Sequence, residues 1–422
     1  MLASSAHITT WVIAALAIAG VIIRPWRLPE ALWAVAAAFT LTIFGLISWP
    51  DAGKAALKGN DVYLFLIGMM LLAELARHQG LFDWLAAFAV NQSNGSSSRL
   101  FAFVYLVGTI VTIFLSNDAT AVVLTPAVYA ATKQANAKPL PYLFICAFIA
   151  NAASFVLPIS NPANLVVYGG GHMPSLATWM AQFGLASIAS ILVTFVVLRL
   201  TQRADLAAEI SREIKMPSLS RGGRVTGGGI LLTAIVLLVA SSLDWKLGLP
   251  TFLAGMTTAL VILILNRLSP WVIAKDISWS VLPLVAGLFV LVEAVERTGL
   301  LKPLVAWLPT SAASAPDATA LALGSVVAVL CNVVNNLPLG LLAGTVASGA
   351  NLSPHVTGAL LIGVDLGPNL SVTGSLATIL WLVALRREGQ SVSAWQFLGL
   401  GALIMPPALI ASLAALISFE FN

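Results

Sequence analysis

The sequence predicts an all-α polytopic membrane protein, with about ten transmembrane helices plus two re-entrant hairpins in two inverted repeats. Three observations carry this expectation. Of 422 residues, 59% are hydrophobic and 9% charged, with a mean hydropathy of +0.96, whereas soluble domains carry about 25% charged residues. Apolar runs long enough to enter a bilayer recur from end to end. The two halves also repeat one another residue by residue. A water-soluble enzyme or nucleic-acid-binding domain is excluded. The net charge of +4 is what the cytoplasmic loops of a membrane protein carry, and no nucleic-acid partner is inferred from it.

The first ten residues contain only His7 where a signal peptide has a positive n-region, so the opening apolar run is read as a retained helix at 8–23. Spans follow near 31–49 and 62–77. The stretch 100–131 is apolar but interrupted by Ser116-Asn117-Asp118 and Pro126, and is read as a re-entrant hairpin. A broken span at 140–170 and a span at 177–198 complete the first repeat, 1–200. Residues 201–226, with Arg203, Asp205, Glu209, Arg212, Glu213, Lys215 and Arg221, form the longest polar segment and are read as a cytoplasmic linker. The second repeat, 227–422, has spans near 228–242, 249–266 and 281–296, a hairpin at 318–349, a broken span at 355–384 and a last span at 393–418.

The repeat is legible in particular residues. An offset of 219 superposes the segment from Phe65 on that from Leu284, placing Gly68 on Gly287, Glu74 on Glu293 and Gly80 on Gly299, and carries Asn117 onto Asn336. An offset of 214 carries Asn151 onto Asp365 and residues 160–168 onto 374–382. Five crossings per half would turn the second copy upside down, as in many secondary transporters. With that topology 16 of the 21 Lys and Arg fall on the linker side, leaving Lys54, Lys58, Lys246, Arg297 and Lys302 opposite. This positive-inside bias puts both termini outside.

Irregular backbone at membrane depth is tolerated where it is buried in protein or lines a cavity. Four Gly/Pro/Asn-rich clusters meet that description. Asn117 and Asp118 mark the first hairpin tip, and Asn332, Asn335, Asn336 and Pro338 the second. Pro158 to Asn164, including Asn161, breaks one span; Gly367 to Ser375, including Asn369, Thr373 and Ser375, breaks its repeat. A pseudo-two-fold would bring them together near the midplane, with half-helix ends facing a ligand. No Lys or Arg lies in these clusters, which favours a small neutral polyhydroxy solute or a cation over a multiply charged anion.

Asp118 and Asp365 are the acidic residues within the clusters. A carboxylate at that depth costs at least about 2.5 kcal/mol, and desolvation penalises its ionised form, as a proton carrier requires. The rival readings are a hairpin-tip cap for Asp118 and a packing hydrogen bond for Asp365. Glu74 and Glu293 are read as snorkelling or as paired with Arg77 or Arg297. Cys146 and Cys331 are read as small core hydrophobes, and His172 and His355 as loop residues without a second metal ligand at ligand spacing. No catalytic residue, metal or cofactor is assigned, since no HExxH, Ser/His/Asp set or phosphate loop occurs.

The motifs LSNDATAVVLTPAVYA (115–130), SNPANLVVYG (160–169), VVNNLPLGLLAG (333–344) and IGVDLGPNLSVTGSLATILWL (362–382) resemble the arsenite efflux permease (ArsB) family of the ion transporter superfamily. The resemblance covers nearly the whole chain and is most specific in the last block. It implies a bacterial or archaeal inner-membrane exporter of arsenite and antimonite, both uncharged trihydroxides, driven by protons in a setting of membrane lipid. It also implies an elevator-like or rocking exchange and, in some members, a cytosolic arsenite-stimulated ATPase as partner. Combined with the cluster positions, the expected substrate contacts are Asn117, Asn161, Asn336, Asn369, Thr373 and Ser375, with Asp118 and Asp365 coupling protons. The rival functions are a sodium/proton antiporter of the same superfamily, the membrane subunit of an ATPase-driven pump, and a channel.

Overall fold

The computed structural model describes residues 5–168 and 173–418; His172 lies outside the described residues. The first half runs α1 (Ser5–Ile23), α2 (Glu30–Ile43), α3 (Trp49–Lys58), α4 (Asn60–His78), α5 (Leu81–Gln92), α6 (Ser97–Leu115), α7 (Thr125–Gln134), α8 (Leu140–Ala152), α9 (Pro162–Val167) and α10 (Leu176–Thr201). The second runs α11 (Arg221–Ser242), α12 (Gly248–Asn266), α13 (Trp271–Ala274), α14 (Val281–Arg297), α15 (Lys302–Ser314), α16 (Pro316–Val334), α17 (Asn336–Gly349), α18 (Pro354–Leu366), α19 (Leu376–Arg387) and α20 (Ala394–Ile417). Serine side chains start several of them: Ser48, Ser96, Ser175, Ser220, Ser353, Ser375 and Ser393 each accept a first-turn backbone N–H, satisfying a donor that the helix cannot.

Among the described residues, seven helices are long and apolar enough to cross a membrane, or eight if α3 and α4, bent by 47°, form one span. Each of the ten expected spans has a helix or a broken helix pair, but α2, α8 and α18 have only 14, 13 and 13 residues. A 30 Å hydrocarbon core takes about 20. Hydropathy did not anticipate α3, α5, α13 and α15, which are short or carry charges on one face. The linker is also shorter than expected, since α10 continues to Thr201 and α11 begins at Arg221.

That linker is not a loose tether. Ile210 N–H donates to the Gly95 carbonyl at 3.1 Å and Ser211 N–H to that of Ala135 at 2.8 Å. Consecutive residues therefore hold the two ends of the stretch 97–134, and the chain leaves this element beside the point where it came in. Both arms, α6 and the 117–134 segment, pack on α5, just as α16 and α17 pack on α15.

Packing of the halves is reciprocal. A Cβ on Gly68 of α4 would lie 2.4 Å from the Thr251 carbonyl oxygen of α12, and one on Gly287 of α14 would lie 2.7 Å from the Ala34 carbonyl carbon of α2. Repeat-equivalent glycines thus allow backbone-to-backbone crossings between opposite halves, the small-residue packing that helices use in lipid. Helix α17 packs on α9, and α19 packs on α7 and the turn before it. Each broken span therefore lies against the other half's tip, and the seam between them holds the site.

Candidate functional site

Both tips contain strained backbone at the same repeat position. Ser116 has φ 119° and ψ 162°, and Asn335 has φ 75° and ψ 150°, a region otherwise almost confined to glycine, where strain of about 1–3 kcal/mol is held by surrounding structure. After Ser116 the chain resumes as a helix containing a π-turn at Ala119–Leu124, a feature frequent at functional sites. The Thr112 and Thr120 hydroxyls bond across this tip at 2.8 Å. The Asn335 side chain accepts from Leu337 N–H at 3.4 Å and donates to the Thr373 carbonyl at 3.2 Å, fixing the start of α17.

The two breaks place helix starts at the same spot. Asn161 accepts from Ala163 N–H at 3.0 Å ahead of α9, and Ser375 accepts from Thr378 N–H at 3.1 Å ahead of α19. One small pocket is then bordered by Asn117, Asp118, Asn161, Asn336 and Ser375, with Leu66, Val281 and Leu337 as apolar wall. The N-terminal ends of the 117–134 helix, α17 and α19 all face it, so the partial positive charge of their free N–H groups favours electron-rich oxygen there. Oδ1 of Asn117 is buried with no hydrogen-bond partner among the described residues, an acceptor left for something the pocket holds.

This pocket is the deep end of a larger cavity of about 500 Å³; Leu66, Asp118, Pro162 and Val281 border both. Met69, Met70, Val122 and Leu380 make its walls apolar, and Glu74, Arg77, Asp276, Arg387 and Glu388 ring its far end. Gln79, just past Arg77, packs on Ser220 and Gly222, so the mouth opens on the linker face.

Five of the eight expected site residues therefore meet in one pocket. The other three stand behind it. Asp365 is fully buried and accepts a hydrogen bond from Asn161 Nδ2 at 2.8 Å, with Ser154 beside the same carboxyl. Asn369 accepts from Asn151 Nδ2 at 3.0 Å and donates to the Phe148 carbonyl at 3.0 Å. Thr373 donates to the Asn332 carbonyl at 2.8 Å and buttresses the second tip. Asn151 is a residue whose part went unseen: it also receives the Ser375 hydroxyl at 3.4 Å. Since Asn151 aligns with Asp365 and Ser375 with Asn161, the Asn151–Ser375 contact is the repeat image of Asp365–Asn161. That alignment was the available signal. Cys146 and Cys331 are buried and border neither cavity nor pocket, as expected of core residues.

A profile of the citrate transporter family (CitMHS) matches residues 10–365. The arsenical pump membrane protein of Escherichia coli K12 is 27% identical over 365 residues, 83% of this chain and 84% of that protein. The putative arsenical pump membrane protein of Bacillus subtilis is 26% identical over 424 residues, 93% of this chain and 95% of that one. The crystal structure of the YdaH transporter of Alcanivorax borkumensis superposes with a TM-score of 0.58 at 15% identity, covering 86% of each chain; it shares the fold.

Proposed function

The chain belongs to the citrate transporter (CitMHS) family, and we propose that it exports arsenite and antimonite from the cytoplasm in exchange for protons. At the coarser level it is a multi-pass membrane transporter of the ArsB kind. The observation that carries the finer reading is the deep pocket, where Asn117, Asn161, Asn336 and Ser375 surround Asp118 with no lysine or arginine among the lining residues. Amides and a hydroxyl both donate and accept, matching an uncharged trihydroxide without desolvating a charge. The unpaired Asn117 Oδ1 suits one substrate hydroxyl. A tricarboxylate such as citrate would find its guanidinium partners, Arg77 and Arg387, only at the mouth.

An uncharged cargo gains nothing from the membrane potential, so each exchanged proton must supply the work, about 2.3 kcal/mol per 100 mV. Asp118 at the pocket and Asp365 behind Asn161 are the proposed proton carriers. The reciprocal glycine crossings and the paired ends of the 97–134 stretch support two inverted repeats with re-entrant hairpins, and the charge bias supports a cytoplasmic linker with both termini outside.

The test is uptake of arsenite by everted inner-membrane vesicles energised with a respiratory substrate. Accumulation abolished by a protonophore supports the reading. If arsenite is not accumulated while sodium dissipates the pH gradient, the pocket serves a sodium/proton antiporter. If uptake needs ATP and ignores the protonophore, the protein is the membrane subunit of an ATPase-driven pump.

A further inference from the structure

Behind the deep pocket two oxygens lack a hydrogen-bond partner among the described residues: Oδ2 of Asp365 and Oδ1 of Asn164, both on fully buried side chains. Buried polar atoms are otherwise almost always paired. The orientation of the Asn164 amide is settled, because its Nδ2 donates to the carbonyls of Ser154 at 2.9 Å and Leu157 at 3.3 Å. The atom left over is therefore the acceptor. On the Asp365 carboxyl, Oδ1 accepts from Asn161 Nδ2 at 2.8 Å, and Asn161 is fixed in that sense because its own Oδ1 accepts from Ala163 N–H. Ser154 adjoins both groups, but its hydroxyl donates to the Asn151 carbonyl at 2.7 Å and has no hydrogen left for either oxygen.

The aligned residues of the opposite half show what is missing. The offset of 214 carries Asn151 onto Asp365, Asn161 onto Ser375 and Asn164 onto Thr378. Asn151 accepts from the Ser375 hydroxyl at 3.4 Å through Oδ1, and donates through Nδ2 to Thr378 Oγ1 at 3.4 Å. The counterpart of the first contact is the bond from Asn161 to Asp365 Oδ1. The counterpart of the second runs from Asp365 to Asn164, with Oδ2 standing where Asn151 has a nitrogen. An amide donates there and a carboxylate cannot, but a carboxylic acid can. One proton on Oδ2 satisfies both orphaned oxygens at once.

We propose that Asp365 and Asn164 together form a proton-binding site: Asp365 holds the proton on Oδ2 and donates it to Asn164 Oδ1, while Oδ1 keeps its bond from Asn161 at the deep pocket. Asn164 is a positioning residue, which holds the carboxyl in its acid form by accepting from it. The site deepens the proposed exchange by naming where one of its protons rests, and it is indifferent to the cargo. No lysine or arginine pairs with Asp365 among the described residues to favour the ionised form. On α18 and the helices packed against it, the other titratable groups are His355, Asp317 and Cys331 of α16, Tyr142 and Cys146 of α8, and Arg199 of α10. Cys331 adjoins Asp365, but its thiol donates to the Gly363 and Val364 carbonyls at 3.8 and 3.6 Å.

The test is infrared spectroscopy of the purified full-length protein, which reads a protonated carboxyl from its C=O stretch, apart from ionised carboxylates. Subtracting the spectrum of Asp365→Asn isolates the band of this residue. The asparagine supplies the donor that Asn151 supplies at the aligned position, so the variant keeps the hydrogen-bond pattern and loses the acid. The band should be present at about pH 7, where a solvated aspartate is ionised, and at the lowered frequency of a hydrogen-bonded acid. Asn164→Leu should shift it up to the frequency of a free acid. Asn164→Thr, which offers a hydroxyl acceptor as Thr378 does to Asn151, should bring it back down. If Asn164→Leu does not fold, the wild-type spectrum decides: no band, or a band at the free-acid frequency, overturns the proposal. A band that appears only when sodium is withdrawn gives the two oxygens to a cation and overturns it as well. Arsenite accumulation by everted vesicles is measured beside it. The hydrogen-bonded band without accumulation rejects the arsenite assignment and leaves the proton site standing; protonophore-sensitive accumulation without the band does the reverse.

Discussion

Asp365→Asn separates proton coupling from folding. Asp365 is fully buried, and its Oδ1 accepts from Asn161 Nδ2 at 2.8 Å. An asparagine keeps an acceptor oxygen of the same reach, so stability should change by no more than about 1 kcal/mol. It cannot carry a proton. If one proton per cycle passes through Asp365, its loss removes about 2.3 kcal/mol of driving force at 100 mV, lowering the steady-state accumulation of arsenite about 50-fold. Downhill arsenite exchange across unenergised vesicles should persist, because the lining of the deep pocket is untouched. Asn161→Ala is the contrasting variant: it leaves a buried acceptor without its donor and should cost about 1–3 kcal/mol in thermal unfolding. The assay is arsenite accumulation in respiring everted vesicles, read beside the unfolding midpoint of the purified protein. A folded Asp365→Asn protein that still accumulates arsenite to the wild-type level would remove this carboxylate from the coupling mechanism.

Three further outcomes follow from the geometry. Gly68→Ala should destabilise by about 1–3 kcal/mol, because its Cβ would meet the Thr251 carbonyl oxygen at 2.4 Å; an unfolding midpoint equal to wild type would contradict the close crossing of α4 and α12. Ser116→Gly should stabilise by about 1 kcal/mol by relieving the backbone at φ 119°. Asn335→Gly should not stabilise, since it also loses the side-chain bonds to Leu337 and Thr373; equal gains in both would refute the difference. Burial pushes the Asp276 carboxyl up, but His78 and Arg77 outweigh it and hold the group below its ordinary range. A depressed carboxylate stabilises the folded state above its unfolded pKa and loses that contribution as pH falls through the folded value. The midpoint gap between wild type and Asp276→Asn should therefore be present at neutral pH and close on acidification below about pH 4; a gap unchanged by acid would show that the carboxylate acts by packing alone.

The residues of the deep pocket were legible in the sequence for a physical reason. Asparagine, aspartate and serine inside an apolar run are costly in hydrocarbon unless they meet one another or a ligand, so Asn117, Asp118, Asn161, Asn336 and Ser375 announced themselves. Asn369 and Thr373 belong to the same clusters, yet they face Asn151 and Asn332. Membership of a break does not say which way a side chain turns. The charges at the mouth left no trace of their position, because Arg77 and Asp276 are far apart in the chain and each looks like an ordinary helix-end charge.

Hydropathy and repeat identity are properties of chain neighbours, and they were enough for the helical membrane class, the two tips and the two breaks. Which half supplies each wall of the cavity depends on contacts between residues of opposite halves, far apart in the chain. Those contacts follow from where Gly68 and Gly287 let backbones touch, and from the linker closing the ends of the 97–134 stretch against itself. The same applies to the pairing of Asp365 with Asn161 and of Arg77 with Asp276. Each is a meeting of separate elements, set by crossing geometry and side-chain reach, which no local pattern encodes.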